Sequence, residues 1–161
     1  MMHRAQWDEV VRAASRIADA FPSRDDAMQS LVDLLWTTLH PRGLSWIGFY
    51  EGDPSGARQL ILRARRDKPA CSPIGLHGAC GQCLIQGKAL VVHDVRELGD
   101  GYIACDPLDQ SEVVVPCLRA DGSRWGVLDA DSHAVGAFSD ADALGLRRAL
   151  EAAGLSALPE R

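Results

Sequence analysis

The sequence predicts an α+β fold, a central antiparallel sheet with helices on at least one face, or a closely related mixed α/β sandwich. Three observations carry this. Two amphipathic helical patterns open the chain and a third closes it. Between them lie two strand pairs, each joined by a Gly- and Asp-containing turn. A long stretch punctuated by Pro69, Pro73, Gly75, Gly78 and Gly81 separates the two pairs. At 161 residues the chain has the length of one domain with one core, taken as 1–161.

Trp7, Val10, Val11, Ala14, Ile17, Ala18 and Phe21 recur at helical spacing, and Pro22 ends that helix. Ser23 is placed to cap the next one, with Asp25 and Asp26 complementing its N-terminal dipole. Met28, Leu31, Val32, Leu35 and Leu39 form its buried stripe, and Pro41-Arg42-Gly43 stops it. Residues 44–50 read as a strand, and 60–64 as its returning partner after the Gly52–Gly56 turn. Gly81 to Gln86 reads as a short helix closed by Gly87, residues 89–93 as a short strand, and 94–111 as mostly loop. Residues 112–118 and 125–131 form the clearest hairpin, around Asp121-Gly122. Ser139 caps the last helix with Asp142 three residues on, and Ala143, Leu144, Leu146, Leu150 and Ala153 supply its apolar face.

Composition removes several classes of function. An apolar fraction of 47% with 24% charged residues is that of an ordinary globule. A net charge of −5 without a basic stripe argues against nucleic acid as a partner. Arg63-Ala64-Arg65-Arg66 is the densest basic spot and reads as a solvated strand edge. No apolar run approaches the ~20 residues of a membrane-spanning helix. Residues 1–20 carry too many charges for a signal peptide, so a cytoplasmic location with free thiols is expected.

The five cysteines divide by context. Cys105 lies in a loop beside Asp106, ahead of an apolar strand that begins with Ser111-Glu112, while Cys71 and Cys80 lie in Gly- and Pro-rich stretches. Loop thiols can be reached and can react, whereas a thiol in an apolar run usually packs. Cys117, on an apolar strand face, reads as core. Cys80-Gly81-Gln82-Cys83 could be a redox pair, or Cys83 could simply pack within its helix. A zinc site from Cys71, Cys80, Cys83 and Cys105 is disfavoured, because two C-x-x-C pairs are usual and only one is present. Strand alternation puts Glu112, Val114 and Pro116 on one face, and Trp125, Val127, Asp129 and Asp131 on one face of the partner strand. Two carboxylates so placed are costly to bury without partners and fit a pocket better, with Glu112 beside them. Trp46 and Tyr50 are candidates for an aromatic wall.

The segments 46–50 (Trp-Ile-Gly-Phe-Tyr), 69–71 (Pro-Ala-Cys), 78–81 (Gly-Ala-Cys-Gly), 103–106 (Ile-Ala-Cys-Asp), 111–116 (Ser-Glu-Val-Val-Val-Pro), 126–132 (Gly-Val-Leu-Asp-Ala-Asp-Ser) and 136–138 (Gly-Ala-Phe) follow one another in order. Together they resemble the free methionine-(R)-sulfoxide reductases, a family built on the GAF fold. The resemblance implies a GAF-like sheet with two N-terminal helices and a C-terminal helix packed on it and a loop-covered pocket on the other face. It further implies reduction of free methionine sulfoxide, with no cofactor beyond reducing equivalents from thioredoxin, and a homodimer. By the same resemblance the thiol matching Cys105 attacks the sulfoxide, Cys71 closes a disulfide on the resulting sulfenic acid, and Cys80 is an auxiliary or alternative resolving thiol. Glu112, Asp129 and Asp131 would hold substrate, with Trp46 against its methyl end. The chain departs from the pattern in three places. The Cys71–Cys80 loop is one residue shorter, Tyr102 stands where a histidine is usual, and Arg66-Asp67-Lys68 replaces a Gln-Gly pair. The rival reading is a non-catalytic GAF sensor that binds a small molecule or switches through a disulfide.

Overall fold

The computed structural model describes residues 1–102 and 105–158. Ile103 and Ala104, which belong to the 103–106 segment of the resemblance, lie outside the described residues, as do 159–161. In chain order the elements are α1 (Arg4–Ala20), α2 (Arg24–Leu39), β1 (Leu44–Gly52), β2 (Gln59–Arg66), β3 (Ile74–Gly75), α3 (Ala79–Gln86), β4 (Leu90–Val92), β5 (Ser111–Leu118), β6 (Arg124–Ser132) and α4 (Asp140–Ala152). The strands form one antiparallel sheet in the order β3-β2-β1-β6-β5-β4. The expected α+β class, an antiparallel sheet with helices packed on one face, is what the chain adopts.

The caps are those the residues predict. Ser23 accepts from the Asp26 N–H at the start of α2, and Ser139 forms a reciprocal capping box with Asp142 at the start of α4. Gly43, after a 3₁₀ turn at His40–Arg42, and Gly87, after α3, adopt the left-handed conformation that ends each helix. Helices α1, α2 and α4 cover one sheet face, where Leu31, Leu35, Ile47, Phe49, Val113, Val115, Leu128 and Leu146 are fully enclosed. The opposite face carries a smaller cluster around Trp46, Tyr50, Leu60, Val114 and Val127, closed over by α3 and the loops.

Several expectations need correction. Leu144 is not on the apolar face of α4; it is 53% exposed, because the helix buries Ala143, Gly145 and Leu146 instead. Phe21 lies just past the end of α1 and is also exposed. Trp125 does not share a face with Asp129. Cys117 faces Gly126 while Leu118 faces Arg124, so Trp125 is the extra residue of a bulge and turns to the helix side. There it stacks on Phe49 at 6.0 Å between ring centroids, lies under the Arg24 guanidinium at 4.5 Å and donates to the Leu155 carbonyl. The loop-rich middle contains β3, and α3 begins at Ala79 rather than Gly81. Within 94–111, residues Val95–Gly101 form 3₁₀ turns. Arg63 and Arg66 are not simply solvated; they pair with Asp25 and Glu51, and with Asp33.

Asp142 ties α4 to the N-terminal segment. Its carboxylate accepts from the Met1 ammonium, the Met2 N–H, the Trp7 indole N–H and the Ser139 N–H and hydroxyl. Burial would raise its pKa, but these donors outweigh burial and lower it. A lowered carboxyl pKa contributes stability that is complete above the unfolded value of about 4 and is lost as pH falls through the folded value. Asp142→Asn is therefore expected to cost about 2–3 kcal/mol at neutral pH. The gap between wild type and variant, read as urea midpoints, should narrow as pH falls below about 4.

Candidate active site

The pocket opens on the sheet face away from the helices. It is lined by Trp46, Tyr50, Cys80, Glu112, Asp129 and Asp131 from β1, α3, β5 and β6, and roofed by residues of the two loops that carry Cys71 and Cys105. Strand register makes the floor. Glu112 is directly opposite Asp131 on β6, and Asp131 is opposite Trp46 on β1. Asp129 lies opposite Val114 on one side and Gly48 on the other. A second bulge at Ser45, between the Leu44 and Trp46 pairings, leaves Leu44 on the helix side while Trp46 faces the pocket. A side chain on Gly48 would run into the Trp46 ring, so that glycine lets the indole lie along the sheet. Trp46 and Tyr50 then stand 6.1 Å apart between centroids as a tilted aromatic wall.

One carboxyl oxygen from each of Glu112, Asp129 and Asp131 lies within 4.8 Å of the other two. Glu112 and Asp129 are each 6% exposed, and one oxygen of each (Oε1 and Oδ1) has no hydrogen-bond partner. Burial, then the neighbouring Asp129 and Asp109, pushes the Glu112 carboxyl up to about 9. Burial also raises Asp129 to about 7, against a lowering contribution from the Cys80 thiol. Asp131 is raised well above the carboxylate range by burial and then by Asp129 and Glu112. At neutral pH the cluster therefore holds at least one proton, and its two orphaned oxygens belong to residues that line the cavity.

Cys71 and Cys105 are both exposed and are joined as a disulfide, with their Cα atoms 5.6 Å apart across 34 residues of sequence. The Tyr50 hydroxyl donates to the Cys71 carbonyl at 2.7 Å, and the Trp46 indole N–H donates to the Lys68 carbonyl at 2.9 Å. The aromatic wall thus holds the Cys71 loop. Cys80 is a free thiol at the pocket wall, and burial, then Asp129 and Glu112, raises its pKa. Cys83, one turn along α3, is buried and raised by that burial to about 12; Cys117 is buried on the helix side. Two of the four cysteines weighed for zinc are bonded to each other, so that thiolate set is not assembled.

All eight residues singled out from the sequence, Cys105, Cys71, Cys80, Glu112, Asp129, Asp131, Trp46 and Tyr50, meet at this one pocket or, for Cys71, at its rim. The sequence did not single out Lys68, Asp109 and His133. Lys68 pairs with Asp106 at the mouth, and His133 Nε2 lies 3.2 Å from Asp106 and 3.5 Å from Asp109. Asp109 in turn accepts from Ser45 at 3.1 Å. Charged loop residues read by default as solvated, and nothing in their spacing announces a network. Asp106, Asp109 and His133 have the donor spacing of a cation site, but the Lys68 ammonium already stands beside Asp106. Tyr102, in place of the usual histidine, also lines the pocket, and burial followed by the Asp131 charge raises its hydroxyl pKa.

Protein YtsP of Bacillus subtilis is 40% identical over 101 residues, 62% of this chain and 60% of that protein. The free methionine-R-sulfoxide reductase of Escherichia coli is 38% identical over 109 residues, 65% of this chain and 61% of that protein. The chain thus spans about three fifths of the length of these curated relatives. The X-ray structure of the free methionine-R-sulfoxide reductase from Neisseria meningitidis in complex with its substrate superposes with a TM-score of 0.83 at 30% identity, covering 96% of this chain and 91% of that one. No helix among the described residues is long and apolar enough to cross a membrane. The GAF domain family matches residues 22–155, and the chain belongs to that family.

Proposed function

We propose that the protein reduces free methionine-(R)-sulfoxide to methionine, with thioredoxin as the dithiol that resets it. The observation that carries this reading is the Cys71–Cys105 disulfide at the mouth of a pocket floored by three clustered carboxyl groups. A disulfide between exposed loop cysteines is what a completed thiol cycle leaves behind. Buried acids with unpartnered oxygens suit a ligand that brings its own ammonium and a polar S–O bond. A pocket roofed by two loops favours a free amino acid over a peptide segment. The names of the Escherichia coli and Neisseria meningitidis relatives point the same way.

The cycle has three steps. The Cys105 sulfur attacks the sulfoxide sulfur, the oxygen passes to Cys105 as a sulfenic acid, and methionine leaves two electrons richer. A protonated carboxyl of the floor, Glu112 or its partner Asp131, donates to that oxygen as it accumulates charge, while an ionised neighbour meets the substrate ammonium. Trp46 and Tyr50 contact the methyl end. The Cys71 thiol then displaces the oxygen from Cys105, an S–S bond forms, and the oxygen leaves as water. Thioredoxin's two thiols reduce the disulfide and return both cysteines to the starting state. Cys80, raised by burial, is mostly protonated and stands in reserve.

The reading is tested by a thioredoxin-coupled NADPH assay with the free R-sulfoxide, the free S-sulfoxide and a peptide-bound sulfoxide. Consumption with the free R-sulfoxide alone is the expected result. Binding without NADPH consumption would instead identify a sensor.

Cys105→Ser should release no methionine at all. Cys71→Ser should release about one equivalent per chain in the absence of reductant and then stall under thioredoxin turnover. Methionine quantified against enzyme in a single-turnover experiment separates the two.

For the floor, a carboxyl raised to about 9 stays protonated through neutral pH and loses its proton as pH rises through that value. The rate it supports should fall on that alkaline side. Glu112→Gln keeps the shape but cannot give up a proton, so kcat/KM should drop on the order of 10²-fold. The variant's pH profile should also lose the alkaline fall near 9 that the wild type shows.

A further inference from the structure

The two cysteine loops approach the pocket from opposite halves of the sheet. The Cys71 loop leaves β2 and the Cys105 loop leads into β5, with β1 and β6 between them. Each is fastened to the sheet by its own contacts. On the Cys71 side these are the Trp46 and Tyr50 hydrogen bonds to the Lys68 and Cys71 carbonyls. On the Cys105 side Asp106 accepts from the Leu108 N–H and lies against His133, and Asp109 accepts from Ser45. None of these contacts crosses from one loop to the other. Among the described residues a single polar contact does so, the ion pair of Lys68 with Asp106. It lies beside the disulfide on both sides, Lys68 three residues before Cys71 and Asp106 directly after Cys105.

We propose that the Lys68–Asp106 ion pair is a clasp that keeps the two loops together when the disulfide is open and so sets how fast Cys71 closes on an oxidised Cys105. Lys68 and Asp106 are positioning residues in this reading, which rests on the resolving role given above to Cys71. In the closing step the Cys71 sulfur attacks the Cys105 sulfenic acid. The S–O bond breaks, the S–S bond forms, and the departing hydroxide takes the Cys71 proton as water. The rate of an intramolecular step depends on the fraction of time the two sulfurs are within reach, which the clasp raises. His133 and the Leu108 N–H keep Asp106 aimed at the opposite loop, so the pair does not have to be assembled from two free side chains. Because the Lys68 side chain is half exposed, the clasp is weakened by salt.

The test needs no methionine sulfoxide. Reduced protein is oxidised with a small amount of hydrogen peroxide in the presence of dimedone, and the ratio of Cys105–dimedone adduct to Cys71–Cys105 disulfide is read by mass spectrometry. Dimedone captures the sulfenic acid at a fixed rate, so the ratio reports the rate of closure. In Lys68→Met the ratio should rise on the order of three- to fivefold at low salt, the range of a modest surface ion pair. Lys68→Arg should restore the wild-type ratio, and Asp106→Asn should match Lys68→Met. At about 1 M salt the wild type should approach the variant, because the Debye length has fallen to roughly 3 Å. Equal ratios for wild type and Lys68→Met at low salt overturn the clasp, as does a rise that Lys68→Arg fails to reverse. If the ratios behave as stated but the coupled assay shows no reduction of methionine sulfoxide, the clasp stands and the substrate reading falls.

Discussion

Three carboxyl groups share one patch of sheet beneath a closed roof, and the rest of the molecule is arranged around that constraint. Glu112, Asp129 and Asp131 are brought together by register alone, since adjacent antiparallel strands place Glu112 opposite Asp131. Three negative charges cannot all persist within 4.8 Å in a buried site, so protons stay. The folded state then holds protons that the unfolded chain releases above about pH 4. By linkage, a carboxyl whose folded pKa is raised makes the fold less stable as pH rises from that point through the folded value, about 7 for Asp129 and about 9 for Glu112. The site therefore costs stability at the pH where it would work. The opposite face of the same strands offsets that cost, where Ile47, Phe49, Val113, Val115, Leu128 and Ala130 are sealed under three helices.

One sheet serves both faces because the bulges at Ser45 and Trp125 change which way side chains point. If β1 kept strict alternation through Ser45, Leu44 and Trp46 would share a face, and either a leucine would enter the pocket or the indole would be lost to the core. If β6 kept strict alternation through Trp125, a second indole would crowd Val127 and Asp129. Each bulge lies near one end of its strand, so the paired run between them keeps strict alternation, and the acids sit within that run. Gly48 completes the arrangement by leaving room for the Trp46 ring beside Asp129.

This explains what was legible in the sequence. Alternation placed Glu112, Asp129 and Asp131 together because the strand between the bulges obeys period two. The same rule misplaced Trp125, since a bulge has no composition signal when its residue is large and apolar. Capping chemistry located the helices well: Ser23, Ser139 with Asp142, and Gly87 each do what those residue types do at helix ends. Periodicity was weaker for α4, where Leu144 fits a helical stripe but small residues, Gly145 against Trp7 among them, decide which side packs. The thiol loops were recognised by resemblance, whereas their pairing with Lys68, Asp109 and His133 depends on contacts between segments far apart in sequence. No local pattern encodes those contacts.

The aromatic wall joins the pocket to the loop that carries Cys71. Trp46 and Tyr50 turn their rings toward the cavity and their polar ends toward the Cys71 loop, one through the Lys68 carbonyl and the other through the Cys71 carbonyl. An indole N–H and a phenol are each a single donor on a stiff ring, so moving the ring moves the loop. A ligand methyl packed between those rings would therefore press on the backbone that carries Cys71. The pocket wall and the Cys71 loop are thus tied to each other through β1. In the proposed cycle, changes that leave the thiols intact but trim either aromatic polar end would act on both binding and resolution at once.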